Sequence, residues 1–234
     1  MKSSYYKYFA ALLLFGSNGI VASNINLPSY EIVLLRLLLG SLFLITVFTV
    51  SRQRFTFYRN KHTCLYLFIS ASAMGASWML LYEAYQQVGI SIASLAYYCG
   101  PVIVMILSPF LFRETLTWPK IAGFLTVLAG MCLVNLQALD EGKTIWGLFC
   151  GLMSAFMYAL MVTANKKAKP ESGLENSLLQ LVIGSFIVVA FVSMQKNFVL
   201  SLTTIDWIPV LLLGLLNTGI GCYLYFSSIT DLPV

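Results

Sequence analysis

Charge is what this sequence has least of. Lys, Arg, Asp and Glu together make up 10% of its 234 residues, against roughly a quarter in soluble domains. That is too little to cover a globule of this size in water, so a soluble domain is excluded. Histidine occurs once, at His62 in a basic stretch, with no partner nearby for catalysis or a metal. The five cysteines (Cys64, Cys99, Cys132, Cys150 and Cys222) show no CxxC spacing and, apart from Cys64 two residues from His62, have no neighbouring His or acidic ligands. They read as small packing residues. GxSxG, HExxH and P-loop motifs are absent, and the apolar segments contain no histidine. No enzyme, metal site or cofactor is implied.

What the chain has is apolar length. Hydrophobic residues make up 59%, mean hydropathy is +0.84, and the apolar residues fall in runs of about twenty. A helix rises about 1.5 Å per residue, so such a run crosses about 30 Å of hydrocarbon. The runs are continuous rather than alternating, which excludes a β-barrel. The expected fold class is an all-α polytopic membrane protein with inverted repeats. Its eight spans fall near 8–23, 29–51, 63–85, 91–112, 119–137, 144–165, 174–195 and 205–229, joined by short connections.

The positive-inside rule orients it. With the N-terminus cytoplasmic, Lys2, Lys7, Arg52, Arg54, Arg59, Lys61, Arg113, Lys120, Lys166, Lys167 and Lys169 lie inside, and only Lys143 and Lys196 lie outside. The net charge of +5 is therefore a topology signal. Nucleic acid is not an expected partner, since the basic residues are split among separate loops. Lys2 and Lys7 before the run 8–22 mimic a secretory signal, but span 1 is expected to be retained for a reason the repeat supplies.

One cation is out of place. Arg36 sits inside span 2, where a charge costs about 2.5–3.5 kcal/mol at a helix centre. Its surroundings occur twice. LLRLLLGSLFLI (34–45) aligns with LLQLVIGSFIVV (178–189) at an offset of 144, with the Gly-Ser pair in register. FGSNGIVAS (15–23) parallels YALMVTANK (158–166) at 143, and VGIS (88–91) parallels TDLP (230–233) at 142. Five spans separate the copies, and an odd number turns one copy upside down. Inverted repeats are a transporter architecture with the substrate near the midplane between copies. The expected division is 1–140 for the first copy and 141–234 for the second. Span 1 then has a plainly internal counterpart.

Over its whole length the chain resembles the drug/metabolite transporter superfamily, EamA type. The most specific stretch is YYCGPVIVMILSPFLFRETLTWPKIAGFLTVLAGMCLV (97–134), with Pro101 in one helix, Glu114 past its end, and Gly123 and Gly130 in the next. Arg36 matches the arginine of the second helix, and Gly16-Ser17-Asn18 a small, polar first helix. The resemblance implies five plus five helices, so the chain is expected to be truncated after helix 8, with about 45 residues of the second copy missing beyond Val234. It also implies a central cavity among helices 1, 3, 4, 6, 8 and 9.

On that basis the candidate pathway residues are Asn18, Arg36, Trp78, Tyr82, Glu83, Tyr98, Pro101, Tyr158, Asn217 and Tyr223. Trp78, Tyr82 and Tyr85 share a helix face at i, i+4, i+7, with Tyr85 expected in the outer aromatic belt. Helix packing is an equally open role for the polar candidates. Three readings stand for Glu83: a pair with Arg36, solvation at the interface, or a proton-coupling carboxylate. Arg36, about 10 Å below the outer edge at about 1.5 Å per residue, is expected to reach Glu83, helix carbonyls or the headgroup zone. It serves either structure or as an anion anchor at the pathway.

The resulting function is secondary transport, with export of amino acids or related small neutral or zwitterionic metabolites by alternating access. The expected partners are a small-molecule substrate, the bilayer of the cell membrane and, as one option, a coupling proton. A structural or sensory membrane protein is the alternative. The orientation is testable by fusions. A reporter active only in the cytoplasm is expected to be active after residue 60 or 169 and silent after 142 or 198.

Overall fold

The outward face of this bundle is apolar and its interior holds the polar groups. Phe9, Leu13, Phe110, Ile145 and Phe186 are exposed, whereas Arg36, Ser70, Asn165, Gln180 and Asn217 are buried. Water would reverse that pattern. Hydrocarbon produces it, because there polar groups find partners only inside the protein. The computed structural model describes residues 2–113, 117–135, 145–194, 207–229 and 232. Among them every regular element is helical. The segments Tyr30–Val50, Lys61–Phe112, Ile145–Ala168, Gly173–Ser193 and Trp207–Ile229 are each long and apolar enough to cross a membrane. The chain is an all-α multi-pass membrane protein.

The elements are α1 (Lys2–Gly16), α2 (Asn18–Ala22), α3 (Ser29–Val50), α4 (Lys61–Tyr97), α5 (Cys99–Phe112), α6 (Trp118–Asn135), α7 (Ile145–Ala168), α8 (Gly173–Ser193), α9 (Trp207–Leu211), a π-helical stretch (Leu212–Ile220) and α10 (Gly221–Ile229). Four expected spans match α3, α6, α7 and α8 to within a few residues. The other four depart from expectation. Span 1 begins six residues early and breaks at Ser17, whose hydroxyl donates to the Leu14 carbonyl at 2.7 Å. Spans 3 and 4 are joined through Gly89, whose φ of 81° lies where only glycine is comfortable.

The second half of span 4 starts anew at Cys99. Its break falls at Tyr98, three residues before Pro101. The reason is steric: a proline ring clashes with the carbonyl four residues back, here that of Tyr97, the last residue of α4. Pro101 itself sits comfortably in the first turn of α5. Span 8 contains the π stretch. Glu114 lies outside the described residues.

Small residues bring the helices together. Gly40 and Ser41 of α3 lie in the middle of the bundle. A Cβ on Gly40 would meet Thr218 at 2.8 Å and Leu181 at 3.2 Å, and the Ser41 and Ser185 hydroxyls bond at 3.0 Å. Gly184 of α8 sits against Met74 and the Ala71 carbonyl. Between α4 and α7, each of Ser77 and Ser154 donates to the other's carbonyl, at 2.9 and 2.7 Å. Cys150 and Cys222 are buried, but Cys64 is exposed, so its expected packing role does not hold.

One end of the bundle is basic. Helices α3, α5 and α7 are followed by Arg52, Arg113 and Lys169, each with φ near 50–57°. Cations there favour the negative helix C-termini. At the same end the buried Glu175 carboxylate accepts from Thr56 N, Thr56 Oγ1 and Phe57 N at 2.5, 2.6 and 2.9 Å. It clamps the α3–α4 connection to the start of α8.

The close approach at Gly40 is testable. Gly40→Val is expected to lower stability by about 1–3 kcal/mol through overpacking, seen as earlier thermal unfolding in detergent. Gly16→Ala, where nothing lies within 4 Å, serves as the neutral control.

Candidate functional site

A cavity of about 550 Å³ opens where α1, α3, α4, α5, α7 and α10 meet, with Gly123 and Phe124 of α6 at one edge. Its wall is aromatic. Seven tyrosines line it (Tyr8, Tyr82, Tyr85, Tyr97, Tyr98, Tyr158 and Tyr225), with Trp78, Phe15 and Phe226. The helix breaks make the room: the turn at Tyr98 leaves Tyr98 and Pro101 at the exposed rim, and the break at Ser17 turns Asn18 inward.

The aromatics hold one another. Tyr158 and Tyr225 bond hydroxyl to hydroxyl at 2.9 Å. Tyr97 meets Tyr158 edge to face at 5.4 Å, and Tyr8 stacks on Tyr225 at 5.8 Å. A Cβ on Gly100 would come within 2.7 Å of the Tyr158 ring, so α5 and α7 pack closely here.

Arg36 is the one charged side chain lining the cavity among the described residues. It is 1% exposed, enclosed rather than reaching outward. Its Nε donates to Thr218 Oγ1 at 2.9 Å and its Nη1 to the Tyr82 hydroxyl at 2.7 Å. The guanidinium lies 4.1 Å from the Trp78 ring. Its Nη2 has no hydrogen-bond partner among the described residues. These partners differ from the three expected: neither Glu83 nor a helix carbonyl nor the headgroup zone receives it. Polar side chains from α4 and the π stretch bond it instead. Gln180, at the matching place 144 residues on, is fully buried and exchanges bonds with Ser70 at 3.0 and 3.2 Å.

Of the sequence candidates, Asn18, Arg36, Trp78, Tyr82, Tyr98, Pro101 and Tyr158 line this cavity together. Three do not. Glu83 accepts from Gln87 Nε2 at 3.0 Å, outside the lining. The amide of Asn217 is spent on the break in the first span, donating to the Leu14 carbonyl, Ser17 Oγ and Asn18 Oδ1, each at 2.9 Å. Tyr223 faces a separate hollow of about 450 Å³ at the basic end, with Lys7 over its ring.

Other contributors lay outside the candidate set. Tyr85 faces the cavity rather than an outer belt, and Tyr8 and Tyr225 complete the wall. The spacing Cys222, Tyr225, Phe226, Ile229 carried a signal for one buried face. Nothing in GLLNTGIG marked Thr218 as a partner for Arg36, because the π stretch sets its direction. No cluster of three metal-ligating side chains occurs among the described residues.

Comparison with known proteins agrees with this architecture. An uncharacterized transporter of Bacillus subtilis (strain 168), YxxF, is 26% identical over 230 residues, which span 95% of this chain and 72% of that one. An uncharacterized transporter in the sor 3' region of Acidianus ambivalens is 26% identical over 132 residues, covering 56% of this chain and 51% of that protein. A solved crystal structure superposes with a TM-score of 0.77 at 18% identity, covering 98% of this chain and 80% of that one. It speaks for the fold alone. The model of the EamA-like transporter family matches residues 3–136 and again 145–234. Nearly the whole chain is accounted for, and the protein belongs to the EamA-like transporter family.

Proposed function

We propose that the protein is a secondary transporter that exports amino acids or related small metabolites by alternating access through the aromatic cavity. Membership of a transporter family supports the transport role, and the cavity of about 550 Å³ between the helix breaks is the observation that carries the site. Pathway residues in this reading are those of the cavity wall, with Tyr98 and Pro101 at its mouth. No enzymatic step belongs to it. The protein would sit in the cell membrane with its basic end in the cytoplasm, as the lysines and arginines direct.

The reading takes the chain as two inverted copies. Gly40 packs on Gly214 and Thr218, while Gly184 packs on Ala71 and Gly75. The matching positions differ by 144 (184 − 40) and 143 (214 − 71, 218 − 75), so equivalent glycines make equivalent contacts. The two family matches divide at the same place. Glu31 and Glu175 stand 144 apart, each in the first turn of its helix. Glu175 is clamped at the basic end, whereas Glu31 at the other end keeps one oxygen without a partner. We read this as a state closed at the basic end. A transporter of this kind must release the Glu175 clamp to open there.

Two experiments test the reading. In proteoliposomes, counterflow with a panel of small neutral and zwitterionic metabolites is expected to give saturable flux for at least one. A chain that binds partners or signals without moving any solute would show none. Flux measured with and without a pH gradient tells whether a proton is coupled. The second experiment places cysteines at Thr56 and Glu175 in a background whose native cysteines are replaced. Bridging them with a short reducible cross-linker is expected to stop flux, and reduction to restore it. Undiminished flux in the bridged protein would exclude opening at the basic end.

A further inference from the structure

We propose that Arg36 is a carboxylate anchor, and that the cavity takes small monocarboxylates with an aromatic or branched apolar body. This rests on the transporter reading above and moves its substrate class from neutral and zwitterionic metabolites toward anionic carboxylates.

A guanidinium carries five N–H donors. The Nε–H of Arg36 is committed to Thr218 and one Nη1–H to Tyr82. The other Nη1–H and both hydrogens of Nη2 remain, and Nη2 has no partner although the residue is 1% exposed. Buried donors are rarely left in that condition, and arginine does not escape by losing its proton. Its partners here are also neutral. The Thr218 and Tyr82 hydroxyls and the face of Trp78 stabilise a cation without balancing its charge. The matching residue in the other half of the chain, Gln180, is uncharged and has its amide within hydrogen-bond distance of Ser70, donating from Nε2 to Ser70 Oγ at 3.0 Å. A purely structural role in that place is met by an uncharged side chain, so the charge and the open donors of Arg36 call for a different explanation.

The geometry points to an anion of a particular shape. Thr218 donates its own proton to the Leu213 carbonyl, five residues back at 2.7 Å, so its oxygen is left to accept from Nε. That holds the guanidinium by one edge. The free hydrogens on Nη1 and Nη2 form the fork that matches the two oxygens of a carboxylate. Beside it lie Trp78, Tyr85, Tyr97 and Tyr158, a wall suited to an apolar or aromatic body. No acid lines the cavity among the described residues, so an amino group would meet only ring faces and hydroxyls. A dianionic phosphate would keep one charge unbalanced. Because Nη2 is enclosed in this state, a carboxylate reaches it when wall side chains part. It therefore binds the opened wall better than the closed one, and differential affinity of this kind is what lets a ligand shift a conformational equilibrium.

The test uses the full chain purified in detergent, with calorimetric titration of 3-phenylpropanoate, 3-phenylpropanamide and 3-phenylpropylamine. The three share a body and differ only at the head group. The acid is expected to bind about tenfold to a hundredfold more tightly than the amide or the amine, the range of a charged hydrogen-bonded contact. Arg36→Gln is expected to abolish that preference, and Arg36→Lys, which keeps the charge without the fork, to restore part of it. Equal binding of acid and amide by the unaltered protein overturns the proposal, even if Arg36→Gln fails to fold. So does an Arg36→Gln protein that folds and keeps the acid preference. Counterflow separates the two readings. Saturable flux of neutral or cationic solutes with no carboxylate carried would leave the transporter standing and sink the anchor. Acid-selective binding without flux of any solute would leave the anchor standing and remove the transporter.

Discussion

A charge that cannot be discharged, placed where lipid replaces water, constrains how these helices meet. Arg36 is enclosed by α3, α4 and the π stretch, and each supplies something to keep it there. Trp78 and Tyr82 come from successive turns of α4, and Thr218 comes from the π stretch. Bringing α3 against that stretch requires that side chains be missing. A Cβ on Gly214 would stand 2.6 Å from Leu39 Cβ, and one on Gly219 would stand 2.7 Å from the Phe43 ring. The wider π turn also lets two adjacent residues serve different neighbours. Asn217 reaches the break between α1 and α2, while Thr218 reaches Arg36.

Elsewhere the same constraint acts through uncharged groups. Lipid gives helices no hydrophobic reason to associate, so close packing and interhelical hydrogen bonds must do it. The bonds Ser77–Ser154, Asn165–Asn176, Ser70–Gln180 and Ser41–Ser185 are all buried. Each contributes only about 0.6 kcal/mol by the average measured in membranes. A misregistered packing would leave the same groups unpaired, at about 1–3 kcal/mol each. The loss on breaking them exceeds the gain on making them. Their main effect is therefore to select one arrangement of the helices, while shape complementarity at Gly40, Gly75, Gly151 and Gly184 supplies the attraction.

What could be read from the sequence follows from this physics. The spans were legible because apolar length is a property of each segment alone, and α3, α7 and α8 lie close to where hydropathy put them. Local breaks were harder. Gly89 is a single residue between two apolar runs, and Tyr98 breaks the helix only because Pro101 lies three residues later. Trp78 and Tyr82 carried a periodic signal and Tyr158 only that of a polar group in an apolar run, and the three meet at one cavity. Asn217 and Tyr223 carried the same signal as Tyr158 and point elsewhere. A polar residue in an apolar run is equally legible as helix glue and as lining, and only the direction of its side chain separates the two. That direction depends here on a π register that no residue of LLGLLNTGI announces. Arg36 shows the limit best: its cost was evident from the sequence, but the partners that meet the cost lie 46 and 182 positions away.

Two buried charges in this chain are treated in opposite ways. Glu175 receives three donors from the α3–α4 connection, two of them backbone N–H groups, and is left 2% exposed. Its bonds are complete, and completing them ties two distant segments together. Arg36 is just as enclosed, but its partners are neutral and one of its nitrogens is unmet. Both side chains carry a desolvation cost of several kcal/mol, so the difference lies in how the cost is met. A buried charge satisfied by the chain itself is a fastening. A buried charge with one nitrogen unmet, at the wall of a cavity that no acid lines among the described residues, keeps donors open toward that cavity.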